Sequence, residues 1–228
     1  MDKTQYDLCA EVLNRLSREG VLEHVVVIGS WCMLSYKDYF RSVEYYPAVR
    51  TRDIDILVPV PPSFRQSVDV ERMLRDLDFV ISFRGKEGHI SFVHRDLSLE
   101  FLVPERGRGS DKPYPLPALG TNAQRLRYLD FLLQETIWGR LGDVRVRLPH
   151  PARFALHKLI VSTCQRRTAK RENDLRQGVY ILERLTAMGR VDAIRAASNH
   201  MPSRWRKLVW QVLSEEPTGE VVLRVIVE

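Results

Sequence analysis

Long apolar runs are absent from this 228-residue chain, and their absence excludes a bilayer-spanning helix. Cysteine is scarce: Cys9, Cys32 and Cys164 are odd in number, far apart and without metal-ligand spacing. They are expected to be buried thiols of a reducing compartment, which excludes a disulfide framework or a zinc site. His89, His94, His150 and His157 likewise show no zinc spacing. The opening residues Met1-Asp2-Lys3-Thr4-Gln5 are polar and lack the apolar segment of a secretion signal, so the expected location is cytoplasmic. Internal repeats and low-complexity tracts are also missing. What remains is ordinary globular composition, 44% hydrophobic and 28% charged, with a net charge of +6 that suits polyanionic ligands such as nucleotides or RNA.

The patterning changes once along the chain. Lys3 to Arg18 has helical apolar spacing and stops at Gly20. Val25 to Ile28 reads as a strand, followed by Gly29-Ser30 and a helix through Trp31, Cys32, Met33, Leu34 and Tyr36. An aromatic loop runs from Tyr39 to Val49, and a strand from Asp53 to Val58 ends at Pro59. Ser63 to Asp78 is expected to be a helix, and Phe79–Phe83, His89–His94 and Leu97–Val103 to be strands. Pro104 to Gly120 reads as a loop, and Leu129–Leu133 and Val144–Leu148 as further strands. From Pro149 to Glu215 the signal is helical: Ala152–Gln165, Lys170–Leu185, Val191–Asn199 and Ser203–Ser214. The expected class is α+β, a small mixed sheet flanked by helices over 1–148, followed by a helical subdomain over 149–228.

The chemistry lies in Asp53-Ile54-Asp55-Ile56. Side chains alternate along a strand, so both carboxylates face one way, roughly 6.5 Å apart along it, while Ile54 and Ile56 face a core. Two like charges on one face of an apolar strand suit a hard divalent cation, Mg²⁺ or Mn²⁺. Upstream, Gly29-Ser30 permits close backbone approach and offers N–H groups to a phosphate. In Leu99-Glu100-Phe101, Glu100 is the lone acid of an alternating apolar strand and repeats the apolar–acid–apolar format. If the strands are neighbours, the three acids could hold two metal ions at about the 3.5–4 Å separation used in phosphoryl transfer.

Gly29-Ser30, Asp53-Ile54-Asp55-Ile56 and Leu99-Glu100-Phe101 together resemble the DNA polymerase β-type nucleotidyltransferase superfamily. The stretch from Pro151 to Ile160, with Arg166-Arg167 and Lys170-Arg171-Glu172-Asn173-Asp174-Leu175, resembles the helical half of a bacterial nucleotidyltransferase-fold family. Related abortive-infection-type toxins place a similar helix lysine and a later basic–acid helix beside their sites. The resemblance implies a Mg²⁺-dependent transfer of NMP from an NTP to an acceptor hydroxyl of RNA or tRNA, a protein side chain or a small molecule. It implies that Gly29 and Ser30 contact the β- and γ-phosphates and that Asp53 and Asp55 hold the metals. Glu100 would ligate one metal and help activate the hydroxyl, and Lys158 would neutralise triphosphate charge, with Lys170 and Asp174 as further nucleotide-binding residues.

Structural roles stand beside these. Ser30 suits an N-cap, Glu100 a surface acid, Lys158 a snorkelling lysine, and Asp174 an ion pair with a neighbouring arginine. Arg166, Arg167, Lys170 and Arg171 suit a solvated basic face, and Trp31, Trp138, Trp205 and Trp210 suit core anchors. The long segment between Ser30 and Asp53, with Tyr36, Tyr39, Phe40, Tyr45 and Tyr46, suits either base stacking or packing. His94-Arg95-Asp96-Leu97 mimics a kinase catalytic loop, but Phe101 stands where that loop needs Asn. Two other functions fit the chain: a non-catalytic nucleotide- or RNA-binding module, and the toxin half of a defence pair with an antitoxin partner. No membrane partner is expected.

Overall fold

The computed structural model describes residues 3–49, 51–164, 168–216 and 219–227. The chain divides into two compact units, Met1–Ser35 with Pro47–Leu148, and Tyr36–Tyr46 with Pro149–Glu228. Among the described residues no helix is long and apolar enough to cross a membrane.

The first unit starts with α1 (Lys3–Arg18), whose Cys9, Val12, Leu13 and Leu16 form the buried stripe expected of an amphipathic helix. Strand β1 (Val26–Ile28) leads through a 3-10 turn at Gly29–Trp31 into the four-residue α2 (Cys32–Ser35). Then come β2 (Asp53–Leu57), α3 (Val70–Leu74), β3 (Val80–Arg84), β4 (His89–Val93) and β5 (Ser98–Pro104). Strands β6 (Tyr114–Leu116) and β7 (Thr121–Leu126), helix α4 (Leu129–Leu133), and strands β8 (Thr136–Leu141) and β9 (Val144–Pro149) complete the unit.

Among the described residues the main sheet runs β1-β2-β5-β4-β3, with β7 beside β5 and β6 beside β7. Strand β5 is its axis. It is parallel to β2 along its length, antiparallel to β4 over its first half and parallel to β7 over its second. The Asn122 side chain spans the junction of β4 and β7, accepting from the Ile90 amide at 2.9 Å and donating to the Gly88 carbonyl at 3.0 Å. One sheet face is apolar, with Ile54, Ile56, Leu99, Phe101 and Phe92 buried. On the other, Val26, Ile28, Leu57 and Leu102 meet Leu129 and Leu132 of α4. That second face also carries the acids, beyond the helix-covered patch.

Three expectations need correction. Leu129–Leu133 is a helix, because Tyr128 turns the chain at φ +70° and the run then lies across the sheet instead of joining it. Ser63–Asp78 is helical only from Val70. Asp69 caps the start by accepting from the Arg72 amide at 3.0 Å, while the Val68 amide is held by the Ala118 carbonyl. Within the expected 104–120 loop lies β6, and β7 and β8 follow where no strand was expected.

The second unit is built on α5 (Pro151–Cys164), buried almost all round by α6 (Thr168–Ala187), α7 (Val191–Asn199) and α8 (Ser203–Glu215). Helix α9 (Gly219–Val227) closes it. The aromatic segment 36–46 belongs to this unit. The Tyr36 hydroxyl donates to the Pro149 carbonyl at 2.8 Å, Phe40 stacks on Tyr45 at 4.6 Å, and the Tyr46 amide donates to the Tyr180 hydroxyl at 2.7 Å. Packing accounts for Tyr36, Phe40 and Tyr45, all buried; Tyr46 is exposed. Cys9 and Cys32 are buried as expected, but Cys164 is exposed.

Candidate active site

Register places the predicted acids. Asp53 pairs with Ser98 and Asp55 with Glu100 across the parallel β2–β5 ladder, so all four side chains share one face. Extending the Asp55 row gives Ile28 on β1, Ser91 on β4 and Ser82 on β3. From β2 to β3 this row is a polar strip, Asp55, Glu100, Ser91 and Ser82, with Asp53 and Ser98 beside it and the apolar Ile28 at its β1 end. Asp53 is oriented by its neighbours: Oδ1 accepts from the Ser98 hydroxyl at 2.6 Å, and its amide donates to the Thr51 hydroxyl at 3.2 Å.

Gly29 follows the β1 residue paired with Asp55. A Cβ there would lie 2.2 Å from Asp55 Oδ2, and its φ of +73° is a conformation that side chains rarely adopt. The glycine thus lets backbone sit directly against a carboxylate. Ser30 is buried beside it. The following helix is shorter than expected, one 3-10 turn and four α-helical residues, because Tyr36 leaves for the other unit.

Glu100, with its side chain 13% exposed, forms an ion pair with Arg84 at the end of β3. Arg84 stands opposite His89, two residues along from the Ser91–Glu100 row and so on the same face, and its long side chain reaches across β4. The sequence carried no signal for this arginine, since the contact depends on three strand registers at once. Ser98 was legible in principle: two residues before Glu100, it must share that face.

Among the described residues, no three or more His, Cys, Asp or Glu side chains form a group able to hold a metal ion. Asp53 is turned to Ser98 and Glu100 to Arg84, so the acids share a face without converging. The donor set nevertheless fits a hard divalent cation: all three are carboxylates, and the Arg84 guanidinium is a stand-in cation at Glu100.

The remaining predicted residues lie in the helical unit. Lys158 Nζ donates to Asp174 Oδ1 at 2.5 Å, with the side chains only 9% and 4% exposed. The ammonium also sits 5.6 Å from the Phe154 ring centroid. Lys170 is exposed, so it does not share the buried position of Asp174 four residues on. Arg171 is exposed too, while Arg166 and Arg167 lie outside the described residues. His157, next to Lys158, is pushed down to about 3 by burial and secondarily by the Lys158 charge.

A family model described as nucleotidyltransferase matches residues 7–201. No curated protein matches. Among solved structures, an antigenic nucleotidyltransferase-like protein from Paracoccidioides brasiliensis is 10% identical, with a TM-score of 0.51 over 97% of this chain and 92% of its own. The antibiotic-resistance factor ANT(2'')-Ia in solution is 14% identical, with a TM-score of 0.45 over 91% of this chain and 96% of its own. Its complex with adenylyl-2''-tobramycin gives 11% identity and a TM-score of 0.45, over 93% of this chain and 99% of its own. The first likeness bears on the fold alone. The match over most of the chain, on a mixed sheet followed by a helical unit, has one consequence: this chain belongs to the nucleotidyltransferase family.

Proposed function

We propose that this protein is a Mg²⁺- or Mn²⁺-dependent enzyme that moves an NMP from an NTP to an acceptor hydroxyl and releases pyrophosphate. The observation that carries the reading is the juxtaposition on one sheet face of Asp53, Asp55 and Glu100 with Gly29, whose place no side chain could take without displacing Asp55.

Asp53, Asp55 and Glu100 would hold the cation, which supplies positive charge against the phosphates as charge moves onto the leaving pyrophosphate. Ser98 keeps the Asp53 carboxylate turned to the strip. Gly29 lets the chain turn directly against the Asp55 carboxylate, and the Ser30 hydroxyl beside it is the donor for the β- and γ-phosphates. Glu100 orients the acceptor hydroxyl and receives its proton. The acceptor oxygen then bonds to the α-phosphorus as the bond from that phosphorus to the bridging oxygen breaks. Lys158 and Asp174 neutralise each other within the helical unit, and we assign them to joining α5 with α6.

The test is a transfer screen. Each α-³²P-labelled NTP is incubated with Mg²⁺ or Mn²⁺ and with total bacterial RNA, extract protein or an aminoglycoside panel. Label entering one acceptor class, and lost in the Asp53→Asn/Asp55→Asn variant, supports the reading. Transfer that survives both substitutions overturns it.

A further inference from the structure

One surface of the first unit is built like a binding site and has no part in the chemistry above. Strands β8 and β9 form a separate two-stranded sheet. Its inner side carries Leu141, Val144, Val146 and Leu148, all buried. Gly139 lets this side seat closely: a Cβ there would lie 2.5 Å from Leu148 Cδ1 and 2.8 Å from the carbonyl oxygen of Ser35, the last residue of α2. The hairpin is thus packed on the short helix that follows Gly29-Ser30.

The outer side is different. Trp138 is 45% exposed, although the sequence suggests a core anchor, and Trp31 shows how this fold buries an indole when packing requires it. Around the exposed ring, the Arg145 and Arg147 guanidinium carbons lie 4.3 Å and 5.1 Å from its centroid. Arg140 stands at the turn, where it donates to the Asp143 carbonyl at 3.1 Å. Within the hairpin, three arginines and a half-open indole thus face outward against one acid, Asp143.

A guanidinium stacked on an aromatic ring keeps its N–H edge available, and that fork matches phosphate oxygens. An exposed indole offers a stacking platform to any base that is not already stacked in a duplex. An acidic peptide would use the arginines and leave the indole idle, and a membrane surface would want more than one exposed apolar side chain.

We propose that the outer face of the β8–β9 hairpin binds single-stranded nucleic acid, the base on Trp138 and the phosphates on Arg140, Arg145 and Arg147. The further step, that this strand is the acceptor class of the transfer, rests on the function proposed above.

The test is fluorescence anisotropy of the full chain without NTP and with EDTA, so that binding is read apart from catalysis. The probes are a labelled single-stranded RNA 12-mer, the matching DNA, the RNA duplex and heparin, a polyanion without bases. The single strand is expected to bind tighter than the duplex. Arg145→Glu/Arg147→Glu should weaken every probe, with the salt slope reduced by roughly two. Trp138→Leu should weaken the single strand about tenfold and leave heparin unchanged, whereas Trp138→Phe keeps a ring and most of the affinity. Circular dichroism checks each variant's fold, and the wild type's preference for the single strand over the duplex carries the test if the Leu variant unfolds. The proposal is overturned if the single strand binds no tighter than the duplex, or if Trp138→Leu weakens heparin and RNA equally. Single-strand binding without NMP transfer would leave the hairpin proposal standing and remove the transferase reading; the converse result would do the opposite.

Discussion

Two ion pairs of this molecule differ in what surrounds them. Arg84–Glu100 lies on the polar strip, with the arginine 52% exposed and the acid near the carboxylates of β2. Lys158–Asp174 lies inside the helical unit, both side chains nearly sealed from water. The half-open pair costs little to break, because solvent compensates a released arginine and the net worth of such a pair is small. The closed pair has no such freedom. Removing one partner strands a charge in a low-dielectric interior, a larger loss than the pair's own net contribution. The sequence motif puts Glu100 and Lys158 together as site residues; their surroundings differ, Glu100 lying on the half-open polar strip and Lys158 in a nearly sealed ion pair.

Breaking that comparison should give its largest effect at the acids. Asp53→Asn or Asp55→Asn is expected to lower NMP transfer by about 10³-fold or more, as removal of transition-state electrostatics does, with an unchanged thermal midpoint. At the closed pair the order reverses. Lys158→Met should cost about 3–5 kcal/mol in urea unfolding, while Lys158→Met combined with Asp174→Leu should recover most of that loss.

Gly29→Ala couples the two readouts. Its Cβ would collide with Asp55 Oδ2, and its φ of +73° is strained for alanine, so about 1–3 kcal/mol of stability should go along with activity.

His157 gives a pH test of the sealed region. Its folded value, about 3, lies below the ordinary 6.5, so the native state holds it neutral while the unfolded chain takes up a proton. The contribution is intact above about pH 6.5 and is lost as pH falls toward 3. His157→Gln should therefore flatten the acid side of the urea-midpoint profile between those values.

The smallest effect belongs to the half-open pair. Arg84→Gln removes the competing cation and should raise apparent Mn²⁺ affinity a few-fold, about 1 kcal/mol or less, as read by electron paramagnetic resonance.

Which face the candidate site's acids share was legible from a single strand's period. Alternation in Asp53-Ile54-Asp55-Ile56 and Leu99-Glu100-Phe101 places the acids outward and the apolar residues in the core, where Ile54, Ile56, Leu99 and Phe101 lie. What escaped depends on contacts between segments. Arg84 reaches Glu100 only through the β3–β4–β5 registers. Leu129–Leu133 is short and apolar, and such a run suits strand or helix until the turn at Tyr128 decides. Gly139 disguised β8, since a glycine within a strand pattern reads as a break; here it is where the hairpin meets α2. Asp174 was expected to meet an arginine, but the helix pairing brings it Lys158.

The role of the β2 carboxylates is read most directly from label transfer from α-³²P NTPs by the wild type, Asp55→Asn and Arg84→Gln, side by side, with thermal midpoints recorded. Label is expected in the acceptor for the wild type and Arg84→Gln, and none for a fully folded Asp55→Asn. Equal transfer by folded Asp55→Asn and wild type would contradict that role.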